Sequence, residues 1–185
     1  RFTHVEVEVD VEAWVDWAQS AGLHPIGTAF MLFRRELLST FDPANAEKAF
    51  ATPRTWVKAL RYYASNMSDN IKAAAICGAV GEGPGTEFLG FTQIWQDMPD
   101  LKKIIKDPKK HALPEGVGMC YAVSVGLSGM MTLENVDAIH SFLERMQPEY
   151  VVCAWSLAVK RDRTLITSKT FTDRYAPAYV ELFRP

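Results

Sequence analysis

Apolar positions recur with helical spacing along nearly the whole chain. Val11, Trp14, Val15 and Ala18 fall at i, i+3, i+4 and i+7, one stripe of an amphipathic helix. Asp10 stands where an N-cap is wanted, and Gly22 where a C-terminal glycine closes a helix. Pro25 predicts a second helix over 25–38, with Phe30, Met31, Phe33 and Leu37 apolar. A loop over 41–45 follows. Thr52 and Pro53 then start a third helix, with Trp56, Leu60, Tyr63 and Ala64 on one face. Ser68 or Asp69 caps a fourth, ending near Gly78. The glycine-rich run 81–85 predicts a turn, and 87–95 a fifth helix bearing Phe88, Phe91 and Ile94.

The second half repeats the pattern. Residues 101–105 predict a short helix stopped by Pro108, and 117–131 a mostly apolar one. Thr132 is expected to cap a helix with Val136, Ile139, Leu143 and Met146 inward. Pro148 begins another, apolar on most sides through Tyr150, Val151, Val152, Ala154, Trp155, Leu157 and Ala158, and so central in a core. Pro177 disfavours helix at Ala176, which predicts a break there before the chain ends its last helix near Phe183. One segment differs: Val5, Val7 and Val9 alternate with Glu6, Glu8 and Asp10, the period of a half-buried strand. A single strand has no stability of its own, so a sheet is expected elsewhere. The expected fold is mainly α, with one N-terminal strand.

Composition narrows the class. Apolar residues make up 48% and charged residues 23% of 185, the balance of a globular chain. The net charge of −2 gives no global attraction to nucleic acid or acidic membrane. No apolar run approaches the roughly 20 residues of a membrane span. Cys77, Cys120 and Cys153 are far apart and odd in number, as small buried hydrophobes in a reducing, cytoplasmic setting would be. His4, His24, His111 and His140 are equally scattered and suggest no metal site. The only basic cluster is Lys102, Lys103, Lys106, Lys109 and Lys110, which no aromatic side chain interleaves. That favours a solvated helix face over a nucleic-acid contact.

Arg54 carries the most specific local chemistry. Thr52 as N-cap and Pro53 at the first helical position put Arg54 in the first turn of a helix. A cation there opposes the helix dipole, at about 0.3–1 kcal/mol. Either the side chain swings into solvent, or an anion holds it. A helix N-terminus with a guanidinium beside it suits phosphate.

The string Ala51-Thr52-Pro53-Arg54-Thr55-Trp56 resembles the start of the sensor-2 helix in the lid of MoxR-like, dynein-related AAA+ ATPases. The opening Arg1-Phe2-Thr3-His4-Val5 is similar to the end of the ATPase core in that family. Residues 10–18 resemble the first lid helix, and Ile76-Cys77-Gly78-Ala79-Val80-Gly81 with Glu87-Phe88-Leu89-Gly90-Phe91 a later lid pattern. The likeness covers about residues 1–95. It implies a last core strand over 1–9, a helical lid over 10–97 and a helical C-terminal extension over 98–185. It also implies that Arg54 and Pro53 take part in binding ATP, held with Mg mainly by an upstream core, that Arg54 senses its γ-phosphate in the same subunit, and that Arg1 serves as an arginine finger in trans. The partners so implied are an upstream ATPase core, a homo-oligomeric ring of hexamer type and a protein substrate to be remodelled.

The departures set the limits of that expectation. The run Gly81-Glu82-Gly83-Pro84-Gly85-Thr86 lacks the lysine of a phosphate-cradling loop, and no apolar strand ends in paired acids. The chain alone is therefore not expected to hydrolyse ATP, and the reading makes it a C-terminal piece of a larger ATPase. The competing reading is a stand-alone helical adaptor module with no nucleotide role.

Overall fold

A computed structural model describes residues 2–3, 8–44 and 48–179, and among these the regular structure is helical throughout, with no strand. The chain divides into two compact units, residues 1–90 and 91–185. The division falls upstream of residues 97–114, whose content of Pro, Lys and Asp marks them in the sequence as the seam. The expected strand lies mostly outside the described residues; Glu8, Val9 and Asp10 form no strand among the described residues, and Val9 is 50% exposed.

In the first unit, α1 (Val11–Ser20) starts at Asp10, whose carboxylate accepts the Ala13 N–H at 3.0 Å. It ends as the sequence suggests. Gly22 sits at φ 68°, Gly22 N–H donates to Gln19 O and Leu23 N–H donates to Ala18 O. These are the two reverse bonds of a glycine-terminated helix. α2 spans Pro25–Phe33 and stops earlier than expected. Arg34 leaves helical geometry (φ −129°, ψ 67°), and a 3₁₀ turn over Arg35–Leu38 takes its place. α3 (Pro53–Tyr63) and α4 (Asp69–Val80) pack against each other.

The glycine-rich run corrects the expectation of a turn over 81–85. Gly81 alone breaks the chain, at φ 94°, and α5 begins at the next residue and spans Glu82–Gln96. Pro84 falls in its first turn, where a missing N–H leaves nothing unpaired. A Cβ on Gly81 would lie 3.0 Å from Ala49 O, so the residue serves both the turn and a close backbone approach. Gly85 lies against α4: a Cβ there would stand 2.8 Å from both Cα and Sγ of Cys77. Gly85 thus lets two helices meet closely, while Gly81, Gly83 and Gly85 together are not a loop.

The unit's core is aromatic. Trp56, Phe30 and Phe88 are fully buried, with ring centroids 5.2–5.6 Å apart pairwise. Tyr63 adds an edge contact to Phe88 at 5.8 Å. Side chains of this size supply most of the burial energy available to a small helical unit.

The second unit holds α6 (Leu101–Lys106), α7 (Val117–Met130), α8 (Val136–Leu143) and α9 (Pro148–Arg161). α9 is central, packed along α7, with Val151, Ala154, Trp155 and Ala158 fully buried. Arg161 at its C-terminal end donates to Ser128 O and Met131 O, satisfying carbonyls where α7 ends. Two expectations are corrected here. Thr132 does not cap α8; the helix starts four residues later, because Asn135 turns back to accept Thr132 N–H (2.8 Å) and donate to Met130 O (2.9 Å). Nor does Pro177 break the chain at Ala176, which is helical at φ −60°, ψ −45°. A π turn over Thr170–Tyr175 shifts the hydrogen-bond ladder just before the proline, and α10 (Ala176–Tyr179) continues from it. Tyr175 on that turn stacks on Trp155 at 4.7 Å, so packing rather than propensity holds the segment. Phe183 lies outside the described residues.

Candidate functional site

Arg54 is the second residue of α3, and its surroundings fix that helix end tightly. Thr52 Oγ1 accepts Thr55 N–H at 3.1 Å, and Thr55 Oγ1 accepts Thr52 N–H at 2.8 Å. This reciprocal box satisfies two donors that a helix N-terminus would otherwise leave free. Thr55 Oγ1 also lies 3.2 Å from Phe50 O, tying the box to the incoming chain. Upstream, Ala51 is buried and trades bonds with Thr40: Thr40 N–H donates to Ala51 O and Thr40 Oγ1 accepts Ala51 N–H, each at 3.0 Å.

Two tryptophans complete the mounting. Trp56 is fully buried and donates Nε1–H to Leu37 O at 2.7 Å. Trp14, nearly buried on α1, donates Nε1–H to Pro53 O at 3.2 Å. The carbonyl just before Arg54 is therefore pinned from one helix, and the residue two beyond it from the segment after α2. Each such bond contributes about 0.5–1.5 kcal/mol net, and leaving a buried indole N–H unpaired would cost more. Pro53 is half-buried at the first helical position.

On this mounting Arg54 points outward and is exposed. The neighbouring cations of the unit are neutralised: Arg34 pairs with Glu36 (2.8 Å) and Glu87 (2.7 Å), and Arg35 with Glu12. Among the described residues Arg54 has no acidic partner. Lys58 and Arg61, one and two turns on, are also exposed and also without one. Arg54, Lys58 and Arg61 stand at i, i+4 and i+7, and α3 carries no acid at all. The helix therefore presents an uncompensated cationic stripe that begins at its own positive end.

Sequence reasoning found Arg54, Pro53 and Trp56 but missed three contributors. The Lys58–Arg61 continuation was available from the spacing alone. Thr55 as the second half of the box was hidden because glutamate or glutamine is the usual residue there. The Trp14 bond joins residues 39 apart in sequence and left no local signal. Arg1 lies outside the described residues.

A cleft of about 900 Å³ opens beside Gly81, Glu82 and Pro84, with Thr40, Lys48 and Cys77 on its walls; Arg54 does not line it. Burial, and then the Glu82 charge, push the Cys77 thiol above its ordinary range, so it is a poor nucleophile. Burial pushes Cys153 in the second unit up to about 12. All three cysteines are free and half-buried rather than buried. Among the described residues no His, Cys, Asp and Glu side chains gather into a metal-holding group, and no helix is long and apolar enough to cross a membrane. No family model, curated protein or solved structure matches the chain.

Proposed function

We infer that this chain is the lid and C-terminal extension of an AAA+ ATPase of the MoxR-like, dynein-related kind, with Arg54 as its sensor-2 arginine. One observation carries the reading. Arg54 is an exposed guanidinium, without an acidic partner among the described residues and held in the first turn of a helix, where it costs stability unless an anion arrives. A phosphate would meet the helix N-terminus and a bidentate donor together, with Lys58 and Arg61 extending the positive field.

The residues fit one part of ATP only, its terminal phosphate. Nothing in α3 would hold the base or the Mg ion, and both belong with an upstream core. When bound, MgATP would supply the transferable phosphoryl group and its charge. Arg54 would then steady the charge that develops on the transferring oxygens. Because α3 is pinned by Trp14 and Trp56, a shift in the guanidinium's position would move the helix with it. Loss of the γ-phosphate would thereby be felt by the lid as a whole. The ring, its protein substrate and the Arg1 finger are parts of the same proposal, carried by the resemblance.

The test is the intact protein with its upstream core. Arg54→Ala is expected to remove most ATP hydrolysis while the helical circular dichroism stays unchanged, and Arg54→Lys to recover only part of it. Wild-type turnover by Arg54→Ala would overturn the reading. So would an intact protein with no nucleotide-binding core, which would leave a helical adaptor.

A further inference from the structure

Residues 102–120 of the second unit contribute to two clefts, one walled by lysines and one by mixed apolar and charged side chains. Asp100 caps α6 by accepting Lys102 N–H at 3.0 Å, and Ile104 anchors the helix as a fully buried side chain. That anchoring leaves Lys102, Lys103 and Lys106 exposed, joined by Lys109 and Lys110 in the turn beyond. Over 102–110 the five lysines meet a single acid, Asp107, and none of them enters an ion pair among the described residues. Lys103, Lys106, Lys110 and His111 line an open cleft of about 540 Å³.

The chain then runs from Ala112, on the wall of that cleft, to Leu113 and Pro114, on the wall of the next. The second cleft holds about 370 Å³, with the apolar side chains of Val117 and Met146, the Tyr150 ring and the charged Arg145 and Glu149 on its walls. Leu113 and Val117 are 37% and 52% exposed, unusually bare for large apolar side chains packed around a cavity. Arg145 ties the two clefts together: it lines the second one and donates Nη1–H to Pro108 O, in the middle of the lysine run, at 2.6 Å. The surface is thus a basic trough leading into a small, partly apolar socket.

We propose that this surface docks a short acidic segment of a protein partner, its carboxylates on Lys103, Lys106 and Lys110 and one apolar side chain in the Leu113–Tyr150 socket. Charge complementarity selects the occupant. The lysines attract a polyanion, and the adjoining partly apolar socket has no counterpart in a sugar–phosphate backbone. His111 offers a single ring on the wall of the lysine cleft, too little to stack successive bases, so a protein segment is favoured over a nucleic acid. The inference concerns the second unit alone and does not rest on the nucleotide reading.

The test uses the whole chain and a fluorescein-labelled peptide of four glutamates followed by Gly-Leu-Leu, read by anisotropy. Peptides with lysine for glutamate, or serine for leucine, are the controls, and a 12-nucleotide single strand is the competing polyanion. Binding is expected to weaken at least roughly tenfold between low salt and about 0.3 M salt, as screened charge contacts do. Lys103→Glu with Lys106→Glu, both fully solvent-facing changes, should abolish it with circular dichroism unchanged. Leu113→Ser should weaken it several-fold at every salt concentration. The proposal is overturned by equal binding to the charge-reversed chain, by binding that ignores the leucines, by tighter capture of the single strand, or by no binding up to about 1 mM peptide, the weak limit of a specific contact.

Discussion

Arg54→Glu should make the isolated chain more stable. The arginine is a cation at the positive end of α3, and nothing among the described residues offsets it. Each charge at a helix end is worth about 0.3–1 kcal/mol, so exchanging a cation for an anion changes two such terms. Lys58 lies one turn on. The like-charged Arg54–Lys58 pair costs a few tenths of a kcal/mol, and a glutamate four residues before a lysine gains about as much. Side-chain freedom at an exposed position discounts the sum, leaving about 1 kcal/mol. With a urea slope of about 1–3 kcal/mol/M, the unfolding midpoint should rise by roughly 0.3–1 M. Arg54→Gln should give about half of that. The assay is urea unfolding followed by the buried Trp56. In about 1 M salt, where screening acts over roughly 3 Å, most of the gain should disappear. A midpoint that falls, stays put, or rises equally in high salt would refute the reasoning, because it would mean Arg54 already has a partner or the helix end is not positive. The expected outcome has a functional corollary. On the proposed function, a substitution that stabilises the isolated chain yet silences hydrolysis by the intact protein marks a residue held for its ligand and not for its fold.

Other expectations concern the packing and the second unit. Gly85→Val should cost about 1–3 kcal/mol, because its side chain would run into Cys77; Gly90→Ala in the same helix meets nothing within 4 Å and should stabilise by up to ~1 kcal/mol. Urea midpoints separate the two, and equal effects would deny the close α4–α5 contact. Arg174→Met removes the bonds to Asp137 (2.6 Å) and Glu144 (2.7 Å), and should speed amide exchange over 170–179 while leaving α9 protected. His140 is buried and its Nδ1 accepts Trp155 Nε1–H at 3.1 Å, which only the neutral ring can do. Burial, and then the Arg174 charge, lower its pKa from 6.5, while Glu144 and Asp137 pull weakly the other way. Its contribution is therefore complete above about pH 6.5 and is lost as pH falls through the lowered folded value. His140→Gln, which keeps an acceptor but does not titrate, should flatten that step in the unfolding midpoint of the second unit.

How much of this was legible beforehand depended on whether the cause was local. Caps and terminators were: Asp10, Gly22, Thr52, Pro53 and Pro148 all act within one helical turn, and the structure uses each where the sequence put it. The misses are places where a distant contact overrode a local preference. Residues 81–85 carry every mark of a turn, but Gly85 serves an approach of α5 to α4, a Cβ on Gly83 would meet nothing within 4 Å, and only Gly81 turns. Ala176 should leave the helix before Pro177, but Tyr175 stacked on Trp155 holds the segment in place and a π turn absorbs the mismatch. Asn135 displaces Thr132 because its amide can reach both Thr132 N–H and Met130 O, a two-sided bond that propensity does not encode.

The candidate site divides along the same line. The guanidinium and its helix position could be read from Thr52-Pro53-Arg54, because dipole and cap are properties of one turn. The rigidity could not. It comes from Trp14 on α1 and from Leu37 beyond α2, which meet α3 only after the unit has folded. That division bears on mechanism. An arginine that merely binds phosphate needs only the local part. A sensor needs the distant part as well, since a charge contact at Arg54 can reposition a lid only if α3 is bonded to the rest of the unit. Trp14→Phe separates the two: it deletes the Nε1–H···Pro53 O bond and leaves Arg54, Thr52 and the dipole untouched. If the proposed function holds, it should leave the intact protein's nucleotide affinity near wild type and lower turnover, whereas a pure binding role for Arg54 would leave both unchanged.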